Sequence, residues 1–198
     1  MKLIGVATED SRAYYSILAR LKKTNLRFVS LTPAKAVEQR FWPVITTKRE
    51  TSDFQFTSIP IEDLDEDPMI MEGQILSHVL QQAKQVLLIG VDPGLRMGMA
   101  VYYSGMKLGS PTFDSVELLR RKVSDVVQSI PHNKALVRVG NGSPRQSRAI
   151  AESITTELPD VVIEIVDEKG TSVRNSKGLT RDQVAAEKIA FRKGIVFR

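Results

Sequence analysis

Along the chain, short apolar runs alternate with stretches whose apolar positions recur every three or four residues, the pattern of strands exchanging with helices. Residues 2–7 predict a strand. Asp10 or Ser11 then caps a helix whose face Tyr14, Ile17, Leu18 and Leu21 has helical spacing. A strand over 27–31, a short helix opened by Pro33 and a strand over 42–46 complete a small α/β domain, 1–50, marginal alone at that size. This part shows no phosphate loop, nucleophile motif or acid cluster. Residues 51–84 read as an acidic linker and a connecting helix. Glu62, Asp63, Asp65, Glu66 and Asp67 predict an exposed charged loop, and Ile70, Ile75, Val79 and Leu80 share one face of a helix over 69–84. The methionines and His78 in that helix read as packing groups.

The order is clearest in the third part, 85–198. An apolar run over 86–92 ends in Asp92, and Pro93, Gly94 and Gly98 supply a tight turn before a second run over 99–103. A third short segment, 107–110, follows. Residues 113–130 predict a helix with Val116, Leu119, Val123, Val126, Val127 and Ile130 inward. A strand over 135–139 ends in Gly140-Asn141-Gly142, and a helix over 144–158 leads to a strand over 161–166 ending in Asp167-Glu168-Lys169-Gly170. A last helix spans 181–192 with Val184, Ala185, Ile189 and Ala190 on one face. Three leading strands followed by alternating helix and strand predict an α/β sheet with an antiparallel leading edge.

Composition narrows the chemistry. The 198 residues contain no cysteine, which excludes disulfides and thiolate zinc sites, and the two histidines cannot form a histidine-rich metal site alone. Any metal must be held by carboxylates, which points to Mg²⁺ or Mn²⁺. No apolar run is long enough to span a membrane, and the first residues turn acidic too early for a signal peptide, so a soluble, cytoplasmic protein is expected. The net charge of +5 is uneven: residues 1–69 hold 10 basic and 10 acidic side chains, residues 70–198 hold 18 and 13. The excess in the part containing Asp92 suits a polyanionic partner.

Asp92 closes the first strand of the third part, Glu168 follows its last parallel strand and Asp182 opens its final helix. Open α/β sheets build sites where strand ends and helix starts meet. Three carboxylates gathered there are costly without a cation; with one or two Mg²⁺ ions they suit attack on a phosphodiester. Each also has a plainer reading, Asp92 as a turn residue, Glu168 as an exposed strand end and Asp182 as a helix cap. Gly140-Asn141-Gly142 before a helix offers backbone N–H groups to a phosphate, with Asn141, Ser143, Arg145 and Arg148 as candidate contacts. A plain strand-to-helix turn with Ser143 as cap accounts for the same residues. Lys169, Arg174 and Lys177 are candidates to track a nucleic-acid backbone.

Four motifs then occur in order. IGVDPGLRMGMAV resembles the first-strand motif of the RNase H-like superfamily, in its RuvC-type resolvase and YqgF branch. VRVGNGSPRQSRAIAESI is similar to the fourth-strand segment of YqgF-type domains, including that of the Tex transcription-accessory proteins. IVDEKGTSVRN resembles their Asp-Glu-x-x-Thr-Ser turn and RDQVAAEKIAFRKG their final helix. The resemblance covers roughly residues 86–194 and leaves the first part unrecognised. It implies a mixed five-stranded RNase H-like sheet flanked by helices, preceded here by the small α/β domain. It implies that Asp92, Glu168 and Asp182 bind Mg²⁺ or Mn²⁺ as catalytic acids of a nuclease acting on structured DNA or RNA, Holliday-junction-resolvase-like. Resolvases act as homodimers on two-fold symmetric substrates. Two positions depart from the active pattern: Asn141 stands where resolvases place a Glu, and Ala185 where they carry the second Asp of an Asp-x-x-Asp pair. The alternative expectation is a non-catalytic module of the same fold that binds nucleic acid or a protein partner. Asp92-x-Gly94 with Gly98 also resembles the first phosphate motif of sugar kinases and actin, which need two such domains.

Overall fold

The computed structural model describes residues 3–56, 58–80, 85–168 and 180–197. The chain divides into two compact units, Met1–Gln82 and Ala83–Arg198.

The first unit is a four-stranded parallel sheet. Its strands β1 (Ile4–Val6), β2 (Phe28–Ser30), β3 (Val44–Thr46) and β4 (Ile59–Pro60) lie in the order β2-β1-β3-β4. Helix α1 (Ser11–Leu21) is capped by Asp10, whose carboxylate accepts the N–H groups of Arg12 and Ala13, and buries Ile17 and Leu21. The short helix α2 (Pro33–Glu38) starts as expected, with Thr32 as cap and Pro33 in its first turn.

The segment expected as linker and connecting helix belongs to this unit as far as it is described. Lys48–Asp53 and Ile61–Asp63 form 3₁₀ turns, β4 between them pairs β3, and α3 (Pro68–Val79) follows. The acids have local duties. Asp67 caps α3, Glu62 accepts the N–H of Lys48, and Asp63 pairs with the Lys48 ammonium at 3.0 Å. Arg20 of α1 donates to the carbonyls of Ile61, Leu64 and Asp65. Met69 and Met71 are buried, and His78 is half-buried, which lowers its pKa.

The second unit carries a seven-stranded mixed sheet. The five expected strands are β5 (Val86–Asp92), β6 (Met97–Tyr103), β7 (Met106–Gly109), β9 (Lys134–Gly140) and β10 (Val162–Val166). Two-residue strands β8 (Thr112–Phe113) and β11 (Ile195–Val196) extend the sheet beyond five. The order is β11-β10-β9-β5-β6-β7, with β8 also pairing β6. Strands β5, β9 and β10 are mutually parallel, and β6 runs antiparallel between β5 and β7. Helices α4 (Val116–Ser129), α5 (Pro144–Glu157) and α6 (Arg181–Phe191) flank it. No helix among the described residues is long and apolar enough to cross a membrane.

The pleat fixes which side chains meet α6. In β5, Leu87, Ile89 and Val91 are fully buried on one face, while Leu88, Gly90 and Asp92 point to the other. Gly90 and Gly98 lie under α6: a Cβ on Gly90 would run into the Ala186 carbonyl, and one on Gly98 into the Asp182 carbonyl. Ala186 and Ala190 pack there with Ala100 and Tyr102. The buried alanine of α6 beside Val184 is therefore Ala186, not Ala185, which is half-buried.

Candidate functional site

Asp92 is the last residue of β5 and lies on the α6 face. It pairs in register with Gly98, and the missing side chain at Gly98 lets the first turn of α6 settle against the sheet. That contact brings Asp182 to the end of β5. Asp182 is the second residue of a helix opened by a capping box, in which Thr180 and Gln183 exchange side-chain and backbone hydrogen bonds. Further ties hold α6 to the sheet: Gln183 donates to the Ser110 carbonyl at 2.5 Å, and Glu187 accepts from Lys107 at 2.5 Å and Ser110 at 3.1 Å.

Glu168 arrives from the other side. Strand β10 runs parallel to β9, Val166 pairs with Gly140, and the Asn141 N–H donates to the Val166 carbonyl at 2.9 Å. Two residues later Glu168 folds over the Gly140-Asn141-Gly142 turn, where its Oε1 accepts the Gly142 N–H at 2.8 Å. A Cβ at Gly140 or Gly142 would occupy the space of this carboxylate. The turn's glycines thus make room for an acid, a role that their reading as a phosphate cradle did not contain.

Asp92 senses the other two acids. Burial first, then the negative charges of Glu168 and Asp182, push the Asp92 carboxyl up to about 7, with Arg181 acting in the opposite direction. The plain readings were Glu168 as an exposed strand end and Asp182 as a cap, but Glu168 is half-buried against the Gly140-Asn141-Gly142 turn. Thr180 is the cap of α6, and both acids bear on Asp92. All available donors are oxygens, the set that hard divalent cations prefer. Yet among the described residues no three Asp, Glu or His side chains stand close enough together to hold an ion as placed. The Glu168 carboxylate is turned toward the Gly142 N–H.

The candidate phosphate contacts border this centre. Gln146, in the first turn of α5, donates to the Gly94 carbonyl at 2.9 Å and so ties that turn to the loop after Asp92. Ser143 is the cap of α5 by position but makes no side-chain cap hydrogen bond, and Pro144 occupies the first turn. Ser147 braces the loop instead, donating to the carbonyls of Gly140 at 2.6 Å and Ser143 at 2.7 Å. Asn141, Arg145 and Arg148 are exposed, and Arg148 pairs with Glu152 one turn along at 2.8 Å. Lys169, Arg174 and Lys177 lie outside the described residues. A cavity of about 460 Å³ in this unit lies elsewhere, beside the starts of β9 and β10, and none of the candidate residues lines it.

Comparison with known families finds one match. Residues 3–71, within the first unit, match the family of response regulator receiver-like domains. The parallel order β2-β1-β3-β4 there is an open α/β sheet. No curated protein matches the chain.

Proposed function

We propose that the second unit is an RNase H-like, divalent-metal-dependent nuclease acting on structured DNA or RNA, with Asp92, Glu168 and Asp182 as its acidic centre. The observation that carries this reading is the Asp92 carboxyl, half-buried at the end of β5 and raised toward neutrality by burial and two neighbouring acids. A carboxyl that resists ionisation beside two other acids is stabilised by a cation, and Mg²⁺ or Mn²⁺ fits an all-oxygen donor set. When bound, such an ion lowers the pKa of a water and offsets charge on the phosphodiester. Asp92 and Asp182 hold the centre at the junction of β5 and α6, and Glu168 reaches it by leaving Gly142. The exposed Arg145 and the first turn of α5, free of a capping side chain, receive the flanking phosphate. The five long strands flanked by helices fit the sheet that the motif resemblance implies.

A second reading is a non-catalytic module of the same architecture that binds nucleic acid or a protein partner. The absence, among the described residues, of three side chains ready to hold an ion favours it, as do Asn141 and Ala185. Calorimetry of Mg²⁺ and Mn²⁺ on wild type and Asp92→Asn, followed by cleavage assays on branched DNA and then RNA, separates the two. The nuclease reading expects divalent-dependent cleavage that falls at least about a hundredfold in Asp92→Asn, as for loss of a group that stabilises the transition state. Cleavage equal in the variant, or salt-sensitive binding without cleavage at any divalent concentration, rejects it.

A further inference from the structure

At the carboxyl ends of β1 and β3, in the first unit, three hydroxyls and one amide converge on a single side chain. The chain runs from β1 outward to β2, then returns across β1 to β3, so the sheet changes direction between β1 and β3. Open parallel sheets take their ligands in the crevice outside that point. Here the crevice is filled from within. Glu50, in the 3₁₀ turn Lys48–Asp53, accepts at its Oε2 the hydroxyls of Thr8 (2.5 Å), Thr47 (2.6 Å) and Thr46 (3.1 Å). Its Oε1 accepts the N–H of Glu9 at 2.7 Å.

The donors are built for this. Thr46 and Thr47 are 0% and 5% exposed, so their hydroxyls would be left without a partner if the carboxylate were withdrawn. The Thr8 hydroxyl accepts the N–H of Asp10 at 3.0 Å, which leaves its hydrogen directed at Glu50. Burial opposes ionisation of Glu50, but the bonds from Thr47, Thr8, Glu9 and Thr46 outweigh it and hold the carboxyl at about 2. The carboxylate also borders a cavity of about 440 Å³ lined by Asp10, Ala13, Thr47, Arg49, Glu50 and Glu62, so the crevice is reachable from solvent.

We propose that this crevice is a carboxylate-binding site that the chain fills with its own Glu50, and that a small monocarboxylate takes the same donors once that side chain is gone. The cavity wall selects among oxyanions. With Glu50 removed it presents Asp10 and Glu62 against the single cation Arg49, which disfavours a doubly charged phosphate and tolerates a singly charged carboxylate. The site lies in the first unit and stands or falls independently of the nuclease reading.

The test uses the full chain carrying Glu50→Ala. Thermal unfolding is followed in formate, acetate, phosphate and chloride at equal ionic strength, together with the NMR signal of the Glu9 amide. The first unit's midpoint is expected to fall by about 3–10 °C in the variant. Formate or acetate should restore it saturably and return the Glu9 amide toward its wild-type position, while the wild type does not respond. Adding Thr47→Val should abolish the recovery. If Glu50→Ala does not fold, Glu50→Ser replaces it, since its short side chain leaves the space of the carboxylate open to the added anion. No recovery beyond that in chloride, recovery in phosphate equal to that in formate, or recovery that survives Thr47→Val overturns the proposal.

Discussion

Asp92 shows how one carboxyl can serve a site and burden a fold. Its pKa is raised from 3.8 to about 7, so between these values the folded chain keeps a proton that the unfolded chain has released. Stability therefore falls as pH rises through this window, and at pH 8 without divalent ions the centre is at its least stable. Asp92→Asn removes the ionisable group, and at pH 8 in chelator it should stabilise the chain by roughly 2–4 kcal/mol. The gain should vanish near pH 4, and denaturant unfolding at the two pH values checks both. A variant no more stable than wild type at pH 8 would mean that the carboxyl is not strained. The place of Asp92 at the end of a strand was legible from the sequence, because an apolar run stops there before Pro-Gly, although a turn residue was an equal reading of it. Glu50 was not. Its partners Thr8 and Glu9 lie 42 and 41 residues away, and no local spacing links them.

At the scale of elements, the site depends on how closely α6 lies on β5 and β6. Gly98 faces the Asp182 carbonyl, so Gly98→Ala must lift the start of the helix and carry Asp182 away from Asp92. The expected cost is about 1–3 kcal/mol, as for overpacking elsewhere. Divalent-ion affinity should fall with it, and calorimetry alongside thermal unfolding reads both. Gly105, at a positive φ of 84° in the β6–β7 turn with open space around it, is the comparison. Gly105→Ala should cost stability through backbone strain and leave ion binding intact. The helix and most of its inward face, Val184, Ile189 and Ala190, were predictable from its period, but the fourth buried position was not. Ala185 and Ala186 are equally small, and only the glycine groove beneath them decides which faces in. The two-residue strands β8 and β11 escaped for a different reason: neither is long enough to show alternation. Strand β4 was hidden because Ile59-Pro60 sits beside five acids that read as loop.

At the scale of the whole molecule, the two units have distinct chemical characters. The first, apart from its last residues, is charge-neutral and closes its crevice with an internal carboxylate. The basic excess falls in residues 70–198 together with the acidic centre. On the proposed nucleic-acid reading, binding by the full chain should weaken steeply with salt through contacts of the second unit. Arg145→Ala should lower the salt slope by about 1, whereas Arg148→Ala should lower it less, because its guanidinium is already engaged by Glu152. Filter binding across a salt series measures both slopes, and equal slopes in all three proteins would place the phosphate contacts elsewhere. The α/β class and the hairpin-first order of the second unit were readable from periodicity. The extent of the first was not, since its boundary follows tertiary contacts of α3, such as the buried Glu72 accepting the Asn25 N–H at 2.8 Å.

The pairing of Gly90 and Gly98 with Ala186 and Ala190 also sets a timetable for synthesis. The face of β5 and β6 that holds Leu88, Ala100 and Tyr102 is made early, and the helix that covers it is encoded some ninety residues downstream. Until α6 has been translated, that face lacks its covering helix and Asp92 has no neighbour from it. On a translating ribosome that one face waits for its helix, a candidate client for chaperones, and the acidic centre is among the last features of the second unit to form.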